Sequence, residues 1–288
     1  MGADTLSKLD VITTEKLVEL ARSQDVKDSL AFVDEMLYHA QAVEAQSLPL
    51  QKQPAYKKNL SMVVLLLDDL DKTMTAAFGS SIKRHWTNLR EPIDSEFQEA
   101  GQHTFLAAVT QANLRNYLSM KLDKKTMAAK KGRLLLDYAL RRSIVTTVAV
   151  DPQDVKPDFA MVELLLRNGA NPNQTIFTYG NDTVWGTFLR QCYRDARNPG
   201  ITPRLSESAS QDLYIVIQLL LRNGADPNYE MSLSSSVPDI LDRCLLANEK
   251  ERLNELLEER RQARLYLGGF RKAIGGSLTW FLRDGDGS

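Results

Sequence analysis

The sequence predicts an all-α protein: a helical N-terminal region followed by an α-solenoid of about four divergent helix pairs. Three observations carry that prediction. Ten residues, Leu164 to Asn173, recur as Leu219 to Asn228 with one conservative difference, Asn171 against Asp226. One supersecondary unit is therefore used at least twice, and neighbouring copies are expected to stack. Apolar residues also recur at three- and four-residue spacing through most of the chain, which is the helical period. Finally, each copy ends its leucine run on Gly (Gly169, Gly224) and an Asx-Pro step (Asn171-Pro172, Asp226-Pro227), a helix stop followed by a turn.

Taken in order, residues 1–95 form the N-terminal helical region, 96–265 the repeats and 266–288 a C-terminal cap or tail. In the first, Thr5 to Leu20 reads as an opening helix. Leu30 to Gln46 places Phe32, Val33, Met36, Leu37, Ala40 and Val43 at helical spacing, and Ser61 to Phe78 does so with Val63, Leu66, Leu67, Leu70 and Met74. Pro49 to Pro54 separates these two helices, and His85 to Pro92 joins the region to the repeats. The repeat pairs are expected at His103–Gln111 with Asn113–Lys121, Gly132–Arg142 with Phe159–Asn168, Thr183–Ala196 with Leu213–Asn223, and Pro238–Ala247 with Lys250–Arg264. Pro238 suits the first position of a helix, where its missing N–H costs nothing. Pro-, Asp-, Thr- and Ser-rich loops near 144–157 and 197–210 fall at the same point of the unit, as surface insertions do. Trp280 and Phe281 are expected to cover the last repeat face.

The decapeptide has a local physical meaning. Val162, Leu165 and Leu166 follow the i, i+3, i+4 spacing, and Leu164 widens the apolar stripe, so the helix should be packed on more than one side. Gly169 and Gly224 suit a positive-φ stop. Arg167 and Arg222 stand at the negative end of the helix dipole. Pro172 and Pro227 fix the turn. Leu165, Gly169, Pro172, Leu220, Gly224 and Pro227 are thus the structural junction residues. Helix, Gly stop, Asx-Pro turn and Asn together resemble the end of an ankyrin repeat, closely over 161–173 and 216–228. The other hallmark of that family, T-P-L-H-x-A, is degraded: Leu134 to Ala139 and Thr183 to Phe188 keep only Ala139 and Thr183. Gly169 and Gly224 lie 55 positions apart, against the ~33 of a standard ankyrin unit. The repeats are divergent and carry insertions.

A second resemblance covers most of the chain. Leu66-Leu67-Asp68-Asp69-Leu70-Asp71, His85-Trp86-Thr87, Phe105-Leu106-Ala107-Ala108 and Leu135-Leu136-Asp137-Tyr138-Ala139 follow the order found downstream of the NACHT nucleotide-binding module in fungal NLR-like (STAND) proteins. That region resembles this chain in its helical lead-in and degenerate ankyrin units. The resemblance implies sensor or regulatory material attached to a switch, here either stand-alone or part of a longer protein.

Composition narrows the function. The 288 residues are 43% hydrophobic with net charge −1, so no global field draws the chain to nucleic acid or to a membrane. No apolar run reaches the ~20 residues of a spanning helix, and Met1 to Asp10 lacks a signal-peptide core. Two cysteines, Cys192 and Cys244, fit small buried packing residues in a reducing, intracellular compartment, cytoplasmic or nuclear. Met62 to Asp69, an apolar run ending in two acids, has the shape of a Walker B strand. However, no G-x-x-x-x-G-K-[ST] loop accompanies it, and the apolar spacing continues through Leu70 and Met74, which favours an amphipathic helix. A nucleotide-switch remnant using Asp68 and Asp69 is the alternative function. His39, His85 and His103 lack the partners of a zinc set, and no G-x-S-x-G elbow occurs. Lys121, Lys124, Lys125, Lys130, Lys131 and Arg133 form one basic group. Arg260, Arg261, Arg264, Arg271 and Lys272 form another, beside Glu255, Glu258 and Glu259. Both read as solvated charged faces.

The expectation is therefore a non-catalytic protein–protein interaction scaffold, with no cofactor and no metal, and with a protein rather than nucleic acid or membrane as partner. Phe177, Tyr179, Tyr229 and Met231 follow the Asx-Pro turns. Rigid aromatics at loop tips anchor contacts at low entropic cost, which makes these four the candidate partner-binding residues. Trp185 and Phe188 read as core.

Overall fold

The computed structural model describes residues 26–47, 54–78, 104–129, 133–141, 157–176, 181–197, 207–230 and 236–281, with Glu19 and Thr87 as isolated positions. They are mostly helical: α1 (Val26–Ser47), α2 (Pro54–Phe78), α3 (Phe105–Gln111), α4 (Arg115–Lys121), α5 (Lys124–Ala129), α6 (Leu135–Leu140), α7 (Phe159–Arg167), α8 (Val184–Arg197), α9 (Glu207–Arg222), α10 (Val237–Cys244) and α11 (Ala247–Phe281). A two-stranded antiparallel hairpin, β1 (Thr175–Ile176) with β2 (Asp182–Thr183), pairs Thr175 with Thr183 and Ile176 with Asp182. The chain divides into two compact units, Met1–Phe188 and Leu189–Ser288, the division falling within α8.

The helices expected within the described residues are present, with altered ends. α9 begins at Glu207 instead of Leu213, and α11 runs on to Phe281 instead of stopping at Arg264. Pro238 is the second helical residue of α10, since Ser236 is the cap and Val237 the first. The basic stretch after Lys121 contains α5. Met62 to Asp69 lies in the middle of α2 and is no strand. Thr5 to Leu20 (but for Glu19), residues 144–156 of the expected loop, His85, Trp86 and His103 lie outside the described residues.

In the first unit α1 packs on α2, α2 on α4, α3 on α4 and α6, and α7 on α4 and α6. The apolar stripes meet as their periodicity requires: Met36, Leu37, Leu67, Leu70, Leu118 and Leu165 are all buried. Fully burying one such side chain is worth about 1.5–3 kcal/mol. Trp185 and Phe188, with ring centroids 6.2 Å apart, are buried here as well. In the second unit α9 and α10 pack on α11 through Val216, Leu220, Ile240, Leu241, Leu253 and Leu257.

Polar groups from distant helices close the ends of several elements. The buried Glu44 carboxylate of α1 accepts from the N–H groups of Asn116 (3.1 Å) and Tyr117 (3.2 Å). It thereby caps the start of α4, where four N–H groups otherwise lack partners. Burial pushes the Glu44 carboxyl above its ordinary value, and these two backbone donors hold it back only in part. In the second unit the distant group is the buried Ser210 hydroxyl of α9: it bonds Glu249 of α11, and both accept from Leu246 N–H at the start of α11. The first unit also buries a charged triad. Asp137, fully buried, receives Arg133 (2.6 Å) and Arg141 (2.6 and 2.5 Å), one helical turn on either side. The Arg133 guanidinium lies 4.1 Å from the centroid of the Tyr138 ring.

Candidate functional site

The repeated decapeptide builds the same object twice. Gly169 and Gly224 have φ of +93° and +92°. In the first copy the Gly169 N–H donates to Leu166 O (3.0 Å) and the Ala170 N–H to Leu165 O (3.0 Å); in the second, Gly224 donates to Leu221 O (3.1 Å) and Ala225 to Leu220 O (3.0 Å). This paired bonding is the Schellman motif, which needs a left-handed residue after the helix end. A Cβ on either glycine would meet nothing within 4 Å, so the backbone conformation and not crowding selects Gly. Asn168 and Asn223 add a side-chain bond each, to Leu164 O (2.9 Å) and Leu219 O (2.8 Å). The turns match as well. Asn171 Oδ1 accepts from Asn173 N–H (2.9 Å), and Asp226 Oδ1 from Asn228 N–H (3.0 Å). Leu165 and Leu220 are fully buried, and Pro172 and Pro227 are buried behind the turns.

The sequence hides a third stop of the same kind. Asn113, expected to begin a helix, instead ends α3 with φ +58°. Its N–H donates to Thr110 O and that of Leu114 to Val109 O, both at 3.1 Å. Asn tolerates this region through its short polar side chain, and its amide donates to Asp158 Oδ2 (2.9 Å). Asp158 in turn caps α7 at Met161 N–H (2.9 Å).

Past each Asx-Pro turn the chain forms a hairpin that delivers the next helix. In the first, Thr175 pairs with Thr183, and Thr183 Oγ1 accepts from Gly186 N–H (2.9 Å) to cap α8. In the second, Glu230 bridges Ser236, and Ser236 caps α10 in a capping box with Asp239. Thr183 and Ser236 are thus equivalent, and the second hairpin is two residues shorter. The hairpins differ in how the turn is closed. Pro172 O accepts the Trp185 N–H at 2.8 Å. The residue equivalent to Trp185 is Pro238, which has no N–H to give. The Pro227 carbonyl receives Arg261 Nη2 of α11 instead, at 3.5 Å. Arg261 Nε also donates to Asn228 Oδ1 (3.0 Å), and Arg264 bonds Asp226.

Of the candidate partner-binding residues, Tyr229 lies in this turn, half-buried; burial raises its phenol pKa and nearby Arg190 opposes the rise. Phe177, Tyr179 and Met231 lie outside the described residues. Sequence reading missed the basic side chains around Tyr229's unit: the Arg243 guanidinium of α10 lies 5.3 Å from the Tyr193 ring centroid of α8, within cation–π range.

The other candidates are held by internal contacts. Asp68 accepts from Tyr117 Oη (2.7 Å) and Lys121 Nζ (2.6 Å), tying α2 to α4; Asp69 is exposed on the same helix. Burial and the Asp68 carboxylate together push the Tyr117 phenol far above its ordinary range. Two of the first basic group are thereby paired within the fold, Lys121 with Asp68 and Arg133 with Asp137. Of the second, Arg261 pairs with Glu258 at 3.6 Å, while Arg264 goes to Asp226. Cys192 and Cys244 are buried, free thiols. Cys244 Sγ donates to Cys192 O at 3.4 Å, and burial pushes its thiol up to about 12. His39 sits 3.7 Å from Glu35 one turn away. Among the described residues no group of three or more His, Cys, Asp or Glu could hold a metal ion, and no helix is long and apolar enough to cross a membrane.

Comparison with known proteins gives no match: no family model, no curated protein and no solved structure is similar to this chain.

Proposed function

We propose that this chain is a protein-binding scaffold, a divergent ankyrin-like solenoid in which α7 and α9 are equivalent helices of successive repeats. The turns after Gly169 and Gly224 form its contact edge, with Phe177, Tyr179, Tyr229 and Met231 as anchors. The observation that carries this reading is the bond-for-bond repetition of the helix stop and Asx-Pro turn, each followed by a hairpin. A unit reused with this fidelity leaves its variation to the loop tips, where recognition is usually placed. In line with the resemblance to fungal NLR-like proteins, such a scaffold would serve as the regulatory or sensor section of a switch.

The nucleotide-switch reading has less in its favour. Asp68 already bonds Tyr117 and Lys121 from the middle of a helix, and the sequence offers no phosphate-cradling loop. Two measurements separate the readings. Affinity capture by the full chain should retain a partner that is lost when the four anchors are changed to Ser, while the fold is kept. Capture of an unchanged set of proteins by that variant would reject the contact edge. Saturable ATP binding abolished by Asp69→Ala, an exposed position that no internal bond needs, would replace the scaffold with a nucleotide switch.

A further inference from the structure

Four helices, α3, α6, α8 and α10, start from the caps Thr104, Leu134, Thr183 and Ser236. Seven residues past the cap stand Gln111, Arg141, Arg190 and Arg243. Arginine thus recurs at one position in three of the four, although few other positions of these helices agree. In the first unit the recurrence has an internal use: Arg141 is bound to Asp137, one turn back, at 2.6 and 2.5 Å. The second unit lacks that arrangement. The place of Asp137 is taken by Gly186 in α8 and by Asp239 in α10. Asp239 turns its carboxylate back to the N–H and Oγ of Ser236, at 2.8 and 2.6 Å. Arg243 lies instead over the Tyr193 ring of α8, 5.3 Å from its centroid.

Both Arg190 and Arg243 belong to the second unit, where α8 and α10 touch: Cys244 Sγ donates to Cys192 O at 3.4 Å. Arg190 stands one helical turn before Tyr193 and beside Tyr229. Arg243 and Arg194, one turn after Arg190, are exposed. Other acids of these helices have partners of their own. Asp195 accepts from Gln191 Nε2 at 2.7 Å, and Asp242 lies 3.7 Å from Lys250 Nζ. Glu230 is exposed beside Tyr229, so an acidic ligand is received on α8 and α10 and not on the turn itself.

We infer that this face of the second unit binds an acidic segment of the partner, whose carboxylates pair with Arg190 and Arg243 on either side of Tyr193. The inference rests on the protein-binding reading above and names the chemistry of the partner. Helices in contact run about 8–10 Å apart, and an extended chain advances about 3.3 Å per residue. Acids three residues apart therefore span the two arginines. The planar fork of a guanidinium matches a carboxylate with two parallel bonds, and lying on an aromatic ring leaves its N–H edge for that contact.

Fluorescence anisotropy of the full chain tests this with a labelled peptide carrying Glu at every third position and Ser and Gly between. The comparison is the same peptide with Gln in place of Glu. The Glu peptide should bind at least about tenfold more tightly in about 50 mM NaCl, and the preference should shrink in about 500 mM. Arg243→Glu and Arg190→Gln should each cost at least about fivefold, whereas Arg252→Glu, at an exposed position of α11, should stay within about twofold. Arg194→Glu, on the surface beside Tyr193, should cost about threefold and serves as the readout if Arg190→Gln melts early. Equal binding of the two peptides, binding of neither, or an equal loss from Arg252→Glu overturns the inference. Its failure with partner capture intact leaves the contact edge standing. Loss of anchor-dependent capture with peptide binding intact removes the contact edge alone.

Discussion

The two copies of the decapeptide junction share the bonds that form the stop and the turn and differ in what completes them. At the first, the turn is closed by its own continuation: the backbone N–H of Trp185 reaches Pro172 O. At the second, a proline stands where that donor belongs, and Arg261 from a helix more than thirty residues on supplies the bond to Pro227 O. The helix stop is thus fixed by sequence within five residues, because a positive-φ glycine and two backbone bonds need nothing else. The turn beyond it is fixed by whatever donor the surrounding fold provides, since a buried carbonyl left unpaired is costly. Repetition of sequence guarantees the first and not the second.

Four sets of substitutions break or sharpen this comparison. Leu165→Ala and Leu220→Ala have the largest expected effect, about 2–5 kcal/mol each, and a similar one, because both side chains are fully buried. Urea unfolding of the two variants checks this; a loss under about 0.5 kcal/mol at either site would mean that its surroundings collapse to fill the space. Gly169→Val and Gly224→Val should each cost about 1–3 kcal/mol through backbone conformation alone. The corresponding Asn variants should cost clearly less, since Asn113 already holds this geometry. Equal losses for Val and Asn would shift the cause from φ to packing.

Smaller still, Arg261→Ala should cost about 0.5–1.5 kcal/mol at the second junction only. Pro238→Ala returns an N–H to the position equivalent to Trp185, so the loss from Arg261→Ala should shrink in that background. A double-mutant cycle measures the coupling, and strict additivity would dissociate Arg261 from the missing donor. Last, the two capping glutamates can be compared through Glu44→Gln. Burial raises the Glu44 carboxyl above 4.5, so the folded chain holds that proton more tightly than the unfolded one. Its contribution to stability is complete below 4.5 and is lost as pH rises through the raised value. Relative to Glu44→Gln, the wild-type chain should lose stability as pH rises above 4.5 through the raised value; the opposite slope in thermal melts would mean that the backbone donors outweigh burial.

The parts of the fold legible in the sequence are those governed by neighbours a few residues apart. The stripes of α1, α2 and α7 announce buried faces, and Gly169-Ala170-Asn171-Pro172 spells out a stop and a turn. Helix ends were less legible where the terminal turn is polar: Glu207 to Asp212 shows no apolar period, yet Ser210 is buried through its bonds to Glu249 and Leu246. Asn113 looked like a helix former for the same reason, because its left-handed conformation is supported by Asp158, 45 positions away. Long-range caps leave no periodic trace, so Glu44 over α4 and Arg261 over Pro227 could be found only in three dimensions. The candidate site was legible as a position, the loop after each turn. That Tyr229 is half-buried beside Arg190 was not, since no local pattern brings α8 to that turn.

The central claim is that the decapeptide builds one helix stop and turn twice, closed by the same backbone bonds. Amide hydrogen exchange followed by NMR tests it directly at Gly169, Ala170, Gly224 and Ala225, whose N–H groups close the two stops. The account predicts protection at all four, lost at the first pair in Gly169→Val and at the second in Gly224→Val. Unprotected amides at either pair in the unaltered chain would contradict it.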